Sequence, residues 1–114
     1  MSATDLAEYA LLSDFVPTWR YRTPSLVLET TWSGLNGELQ VIDGLALGAH
    51  ERGHELGRTS PGVLLRRVRC TWGVVSIRVE FVPRPEYGLI HPVMSRSSGG
   101  VIADGGAQVL RLST

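Results

Sequence analysis

From Pro61 to Gly88 the chain reads PGVLLRRVRCTWGVVSIRVEFVPRPEYG: two apolar-rich runs separated at Gly73 and closed by a Pro-Arg-Pro-Glu-Tyr-Gly turn. In the second run Val75, Ile77, Val79 and Phe81 alternate with Ser76, Arg78 and Glu80. A period of two places the first set on one face of a strand and the second in water. In the first run Leu64, Val68, Cys70 and Trp72 share a parity that Arg66 interrupts. Two such runs joined at Gly73 predict an antiparallel hairpin.

The same logic orders the rest of the chain. Ser25 to Ser33 (SLVLETTWS) predicts a strand with Leu26, Leu28, Thr30 and Trp32 on one parity, and Glu38 to Asp43 predicts its return. Between them lies Gly34-Leu35-Asn36-Gly37, where Asn36-Gly37 is the strongest local hairpin signal. Phe15 to Tyr21, with Pro17 and Trp19, reads as a turn leading into a strand. Gly44 to Gly62 is a long, polar, Gly-rich loop. Tyr87 to Met94 predicts a strand kinked by Pro92, which suits an edge. Ser95 to Gly100 reads as a flexible turn. Gly100 to Ala103 and Ala107 to Ser113 form a last hairpin around Asp104-Gly105-Gly106. Met1 to Asp14 is a short amphipathic arm, helix or first strand. Leu6, Tyr9, Ala10 and Leu12 hint at helical spacing, but so short a helix needs tertiary support. The expected fold is all-β: a single domain over residues 1–114, an antiparallel β-sandwich with a short N-terminal arm or helix.

Composition narrows the function classes. Eleven basic and eleven acidic residues cancel. No strong field then draws nucleic acid or an anionic membrane, and neither is an expected partner. Every basic residue is Arg, which suits bidentate pairing on exposed strands. Thirteen Gly and six Pro among many Val and Leu fit an all-β domain with frequent turns. Cys70 is the single cysteine, so no internal disulfide forms, and its parity predicts a small core side chain rather than a reactive thiol. The N-terminus carries Asp5 and Glu8 and lacks a basic region followed by an apolar run, so no secretory signal is expected. No segment approaches the roughly 20 apolar residues of a membrane span. The expected location is cytoplasmic.

Three pieces recur in a telling order: RGHELG (Arg52 to Gly57), PGVLLRRV (Pro61 to Val68) and PRPEYGLIHP (Pro83 to Pro92). In that order and spacing they resemble the N-terminal β-domain of bacterial trehalase-like and glucoamylase-like enzymes of glycoside hydrolase family 15. The likeness runs from about Tyr21 to Thr114. It implies a β-sandwich that packs against an (α/α)6 barrel, where the barrel holds the catalytic carboxylates. No stretch here shows the long helical periodicity of such a barrel, and 114 residues suffice for one core. The chain also departs from the family near its start. There EYALLSD (Glu8 to Asp14) would continue into a GSIDWLC-like strand and a PRFDSP-like loop that help line the sugar site. This chain passes directly to Phe15-Val16-Pro17. The resemblance therefore implies a non-catalytic role: scaffolding the barrel and shaping the rim of its sugar pocket.

One motif points elsewhere. Residues 50 to 54, HERGH, match the zinc-protease pattern H-E-x-x-H, and Gly57 falls where the extended pattern wants glycine. On that reading His50 and His54 bind zinc from one helix face and Glu51 activates the metal-bound water. Against it, Ser60 stands where the third His belongs, and Gly48, Gly53 and Gly57 oppose a helix. The expectation is a solvated or interface loop, with no metal and no other cofactor.

No catalytic residue is assigned. A glycosidase needs paired carboxylates at defined separation, and Asp43, Glu80 and Glu86 read as solvated strand or turn residues. Arg66, Arg67 and Arg69 are split between two strand faces by alternation, so they form no nucleic-acid stripe. Trp19, Trp32 and Trp72 are the candidate sugar contacts; Trp32 and Trp72 also lie on their strands' apolar parities, where core burial is the competing reading. The alternatives to a scaffolding domain are a stand-alone carbohydrate-binding or protein-interaction module and, less favoured, a zinc hydrolase using HERGH. Uncovered strand edges and a face meant for the barrel predict a homodimer when the domain is isolated, with Phe15 to Thr23 as a candidate edge.

Overall fold

The computed structural model describes residues 15–114. The arm expected over Met1 to Asp14 lies outside the described residues. The fold is all-β, with two antiparallel sheets of four and three strands, the content that a β-sandwich requires. The described residues belong to two compact units, 15–76 and 77–114, one sheet in each.

The four-stranded sheet runs β1 (Val16–Tyr21), β2 (Leu28–Ser33), β3 (Gly37–Leu45) and β4 (Leu64–Gly73), in that spatial order and antiparallel throughout. The β2–β3 hairpin forms where Asn36-Gly37 marked it: Ser33 opposes Glu38, and the Gly34 amide donates to the Gly37 carbonyl at 3.0 Å. Alternation on β3 decides what is buried. Leu39 and Val41 are inside, whereas Gln40 and Ile42 on the opposite face are half-buried. Cross-strand register extends the first face to Trp19, Thr30 and Val68 beside Val41, and to Pro17, Trp32 and Cys70 beside Leu39.

Strand β4 departs from the expected hairpin. Its partner is β3, over register pairs from Gly37–Gly73 to Leu45–Leu64. Residues 74–80 form no strand, and Phe81 makes only an isolated bridge. Charge explains the choice. A hairpin turning on Gly73-Val74 would set Arg66 against Phe81 and Arg69 against Arg78. Against β3, Arg66 meets Asp43 and Arg69 meets Gln40. Arg66 Nε donates to Asp43 Oδ1 at 2.6 Å and Nη2 to Oδ2 at 2.9 Å, a bidentate pair. The Arg that interrupted the apolar parity thus has its carboxylate on the neighbouring strand.

Two residues of β4 are corrected by this pairing. Cys70, expected in the core, is exposed, and its thiol donates to the Trp72 carbonyl at 3.2 Å. Trp72, on the same parity, is half exposed. The register shifts between Glu38 and Leu39, so Leu39 meets Cys70 and Glu38 meets Trp72, with Thr71 passed over. Such an irregularity re-aims the side chains beyond it. The end of β4 is then closed by Gly73 at φ +69°, followed by a Val74 amide bond to the Asn36 carbonyl at 3.1 Å.

In the second unit β5 (Val93–Ser97), β6 (Gly100–Gly105) and β7 (Gln108–Ser113) form a meander around buried Ala103. The last hairpin forms as expected, but Asp104 and Gly105, expected in its turn, belong to β6. Its turn is Gly106-Ala107, with Gly106 at φ +70°, the left-handed first position that favours glycine. The strand expected over Tyr87 to Met94 begins only at Val93, just past Pro92, and as expected it is an edge. It continues through Ser97, so the turn expected over Ser95 to Gly100 shrinks to Ser98-Gly99. Pro-Arg-Pro-Glu-Tyr-Gly instead forms a compact turn in which Glu86, Tyr87 and Gly88 all have positive φ. The Gly88 amide bonds to the Arg84 and Pro85 carbonyls, and the Ile90 amide bonds to that of Pro85.

Gly73 offers a direct test of the β3–β4 end. A Cβ there would press on the Asn36 carbonyl oxygen and lie 2.7 Å from the Gly37 Cα, both rigid backbone. Gly73→Ala is expected to lower unfolding stability by about 1–3 kcal/mol through left-handed strain and this clash. Urea unfolding measures it, and a neutral substitution would disprove the turn.

Candidate functional site

The connection between β3 and β4 holds the HERGH motif. Its base is closed by backbone and side chain together: the Ala46 amide donates to the Val63 carbonyl at 2.8 Å, and Ser60 Oγ donates to the Ala46 carbonyl at 2.8 Å. Its centre is the Glu51 carboxylate. Oε2 accepts from the Gly48 amide at 3.1 Å and the Gly57 amide at 2.8 Å. Oε1 accepts from the Thr59 amide at 2.5 Å and from Thr59 Oγ1 at 2.6 Å. Four donors converge on one carboxylate. They hold it down to a pKa of about 2, first through the Thr59 hydroxyl, then the Thr59 and Gly57 amides. Gly48 is needed for close approach, since a Cβ there would collide with Thr59 Oγ1 and sit 2.8 Å from the Glu51 carboxyl.

This geometry removes the premise of the zinc reading. His50 is left-handed at φ 63°, Arg52 is extended, and only Gly53–Glu55 form a single 3-10 turn. The i, i+4 spacing of His50 and His54 therefore does not fall on a helix face. Glu51, which would activate water, has its oxygens engaged by the loop's own N–H and O–H groups. Both His side chains are exposed, and among the described residues no three His, Cys, Asp or Glu side chains gather as a metal site.

Two further carboxylates are tied to arginine. Glu29, an outward polar residue by strand parity, is among the most buried of the described residues. Arg20 reaches its Oε1 through Nε at 3.0 Å and Nη2 at 2.7 Å, and Arg22 Nε reaches Oε2 at 2.7 Å. Hydrogen bonds from Arg22 and then Arg20 hold the Glu29 carboxyl below its ordinary range. Asp43 is held by Arg66 as described. Sequence reading placed Asp43 in water and missed Glu29 altogether. The available signal was positional: once β1 and β2 are paired as a hairpin, Arg20 falls opposite Glu29.

The three tryptophans do not make one row. Trp19 and Tyr21 stand two residues apart on the same face of β1, 71% and 59% exposed. Trp32 is on that face one strand inward and is half-buried. Trp72 lies two strands farther, beyond buried Leu39. At the other end of the sheet, Leu26, Leu45, Leu47 and Leu56 line an open cleft of about 620 Å³ with Thr23, Pro24 and Val27. Leu56 directly precedes the Gly57 amide that Glu51 holds, so the carboxylate fixes one wall of this cleft.

Comparison with known proteins gives one informative likeness. Over 77 residues the chain is 36% identical to the trehalase of Mycobacterium tuberculosis. The match takes in 60% of this chain and 11% of that trehalase, so it concerns a small part of the relative's length. No protein-family profile matches, and no solved structure matches. Among the described residues no helix is long and apolar enough to cross a membrane. A trehalase-like relationship is thus supported at the level of sequence.

The Glu51 network predicts an acid-sensitive loop. The carboxyl titrates near 2 in the folded loop against an ordinary 4.5, so its contribution is complete above 4.5 and disappears as pH falls toward 2. The protection factors of the Gly57 and Thr59 amides, each taken against the intrinsic exchange rate at that pH, should fall over that window. Glu51→Gln, which replaces one accepting oxygen by a donor, should lower them already at neutral pH while exchange in β2 and β3 stays slow. Unchanged protection at Gly57 and Thr59 in the variant would refute the carboxylate's organising role.

Proposed function

We propose that this chain is a non-catalytic β-domain of a trehalase-like glycoside hydrolase, one that braces a separate helical catalytic domain and shapes the rim of its sugar pocket. The likeness to the tuberculosis trehalase carries the reading, because 36% identity falls on a segment that makes up only 11% of that enzyme. The carboxylate chemistry agrees. A glycosidic general acid needs a raised pKa so that it holds a proton at working pH. Glu29 and Glu51 are both shifted the other way. Glu38 accepts from Ser33 Oγ at 3.0 Å and Thr71 Oγ1 at 2.7 Å, and Asp43 is paired with Arg66, so these side chains serve the sheet. The resemblance to family 15 sharpens the parent class to enzymes acting on trehalose or related α-glucosides, in the cytoplasm.

Two measurements test the proposal. The purified chain should not hydrolyse trehalose, maltose or starch, since a positioned acid–base pair supplies roughly 10²–10⁴-fold in rate and none is assigned here. Turnover that a single substitution within this chain abolishes would overturn it. In a chimera, this chain replacing the matching segment of the tuberculosis trehalase should leave trehalose hydrolysis measurable, whereas deleting the segment should abolish it.

A second reading, a carbohydrate-binding module, is favoured by the exposed Trp19–Tyr21 strip. Neighbouring same-face residues on a strand are about 7 Å apart, within reach of one disaccharide. Titration with trehalose or maltotriose should then quench tryptophan fluorescence in the chain and not in Trp19→Ala. Absence of quenching at millimolar sugar would dismiss this reading.

A further inference from the structure

We propose that the outer edge of β1 is a self-association surface, where a second copy of this chain pairs antiparallel, β1 against β1, about a twofold axis at Trp19. Among the described residues this strand ends the four-stranded sheet, and all six of its residues are exposed. Its backbone direction follows from one bond: the Arg22 amide donates to the Val27 carbonyl at 2.9 Å, one step beyond the Tyr21–Leu28 pair. In an antiparallel ladder such pairs alternate. Arg22, Arg20, Thr18 and Val16 therefore point their N–H and C=O toward β2. The N–H and C=O of Trp19 and Tyr21, and the C=O of Pro17, point away from the sheet.

A twofold axis at Trp19 satisfies these groups. Each Trp19 exchanges both backbone bonds with Trp19 of the second copy. Each Tyr21 amide meets the Pro17 carbonyl of the second copy. Pro17 has no N–H to offer, so the Tyr21 carbonyl stays in water. On one face Trp19 lies beside Trp19 and Tyr21 beside Pro17, aromatic and apolar pairs of the kind that stabilise sheets. On the other face Arg20 meets Thr18. Charged side chains usually guard an open edge, but Arg20 is held onto Glu29 by two hydrogen bonds, at 3.0 and 2.7 Å, and in this pairing it faces Thr18 rather than another charge. On the opposite edge, charge disfavours pairing at the centre of β4. A twofold pairing of β4 about Val68 would set Arg67 and Arg69 against Arg69 and Arg67 of the second copy, like charges directly opposed.

A sugar on the Trp19–Tyr21 strip would use the ring faces and leave the backbone groups unpaired. A second copy uses both. The contact is small. Two exposed aromatics and a six-residue edge from each chain fall short of the roughly 1,200–2,000 Å² of a standard interface, which places the dimer among weak ones.

Light scattering coupled to gel filtration, over a dilution series of the full chain, tests the proposal. At the highest concentrations the mass should approach twice the chain's 12.4 kDa and fall back to one chain on dilution. Trp19→Lys should weaken association about thirtyfold or more, as expected for a central aromatic anchor. Trp19→Pro should weaken it at least as much, because it removes the outward-facing N–H together with the indole while leaving the bonds to β2 in place. Circular dichroism checks that both variants stay folded. Leu65→Lys, on the exposed β4 edge, should leave the dimer intact. A monomer at every concentration overturns the proposal, including a monomer whose tryptophan fluorescence is quenched by sugar. So does a dimer that survives both Trp19 variants, or one that Leu65→Lys disrupts.

Discussion

The register between β3 and β4 is the constraint on which the larger sheet depends. It is locked twice. Leu39 and Val41 must face inward, and the Arg66 guanidinium must meet the Asp43 carboxylate in a bidentate pair. Sliding either strand by one residue would move the apolar stripe to the opposite face and part the ion pair at the same time. Either requirement alone could tolerate a compromise; together they leave one alignment. That alignment also brings Leu45 opposite Leu64, and so sets the two ends of the HERGH loop side by side. Only then are Gly48, Gly57 and Thr59 near enough to converge on Glu51. A motif that looks like catalysis in one dimension is, in three, a loop closing on its own carboxylate.

The same economy appears across the 15–76 unit. Four of its five carboxylates are matched to fixed donors: Glu29 to Arg20 and Arg22, Asp43 to Arg66, Glu38 to Ser33 and Thr71, Glu51 to backbone amides and Thr59. A carboxylate held in this way favours its charged form, which suits a stable frame and disfavours proton donation. Arg, with its planar fork, serves such pairs better than Lys, so an all-Arg set of cations has a use here whatever its origin. The frame in turn presents what is left uncovered: an aromatic strip on one edge strand and, at the Tyr21 end of the sheet, a leucine-lined cleft, one of whose walls the Glu51 network keeps in place.

Local signals carried much of the fold. Alternation on β3, the Gly34–Gly37 turn and the last hairpin are short-range features; the first two stand where the residues alone place them, and the hairpin turns slightly later than expected, at Gly106-Ala107. The failures share one cause. Val75 to Phe81 alternates as cleanly as β3 does, yet forms no strand. A period of two says that a segment can be a strand and does not name its neighbour. Cys70 was read as core by parity, as was Trp72 in the reading that competed with sugar contact, but parity ranks two faces without saying which is covered, and β4 is an edge strand with a register shift.

What the sequence by itself determined is therefore the class and the punctuation. The chain is all-β and antiparallel, its turns are placed by Gly and Asn, the zinc motif lacks a helix to carry it, and the order of RGHELG, PGVLLRRV and PRPEYG points toward trehalase-like enzymes. What only the tertiary structure decided is partnership: β4 with β3 rather than with residues 75–81, Arg66 with Asp43, Arg20 and Arg22 with Glu29, and Glu51 with the amides of its own loop. The physical reason is range. Periodicity and turn preference act over a few residues and are written into the local chain. The worth of a charge or an apolar face depends on what stands opposite it, and that is settled only when distant segments come together and compete for the same partner.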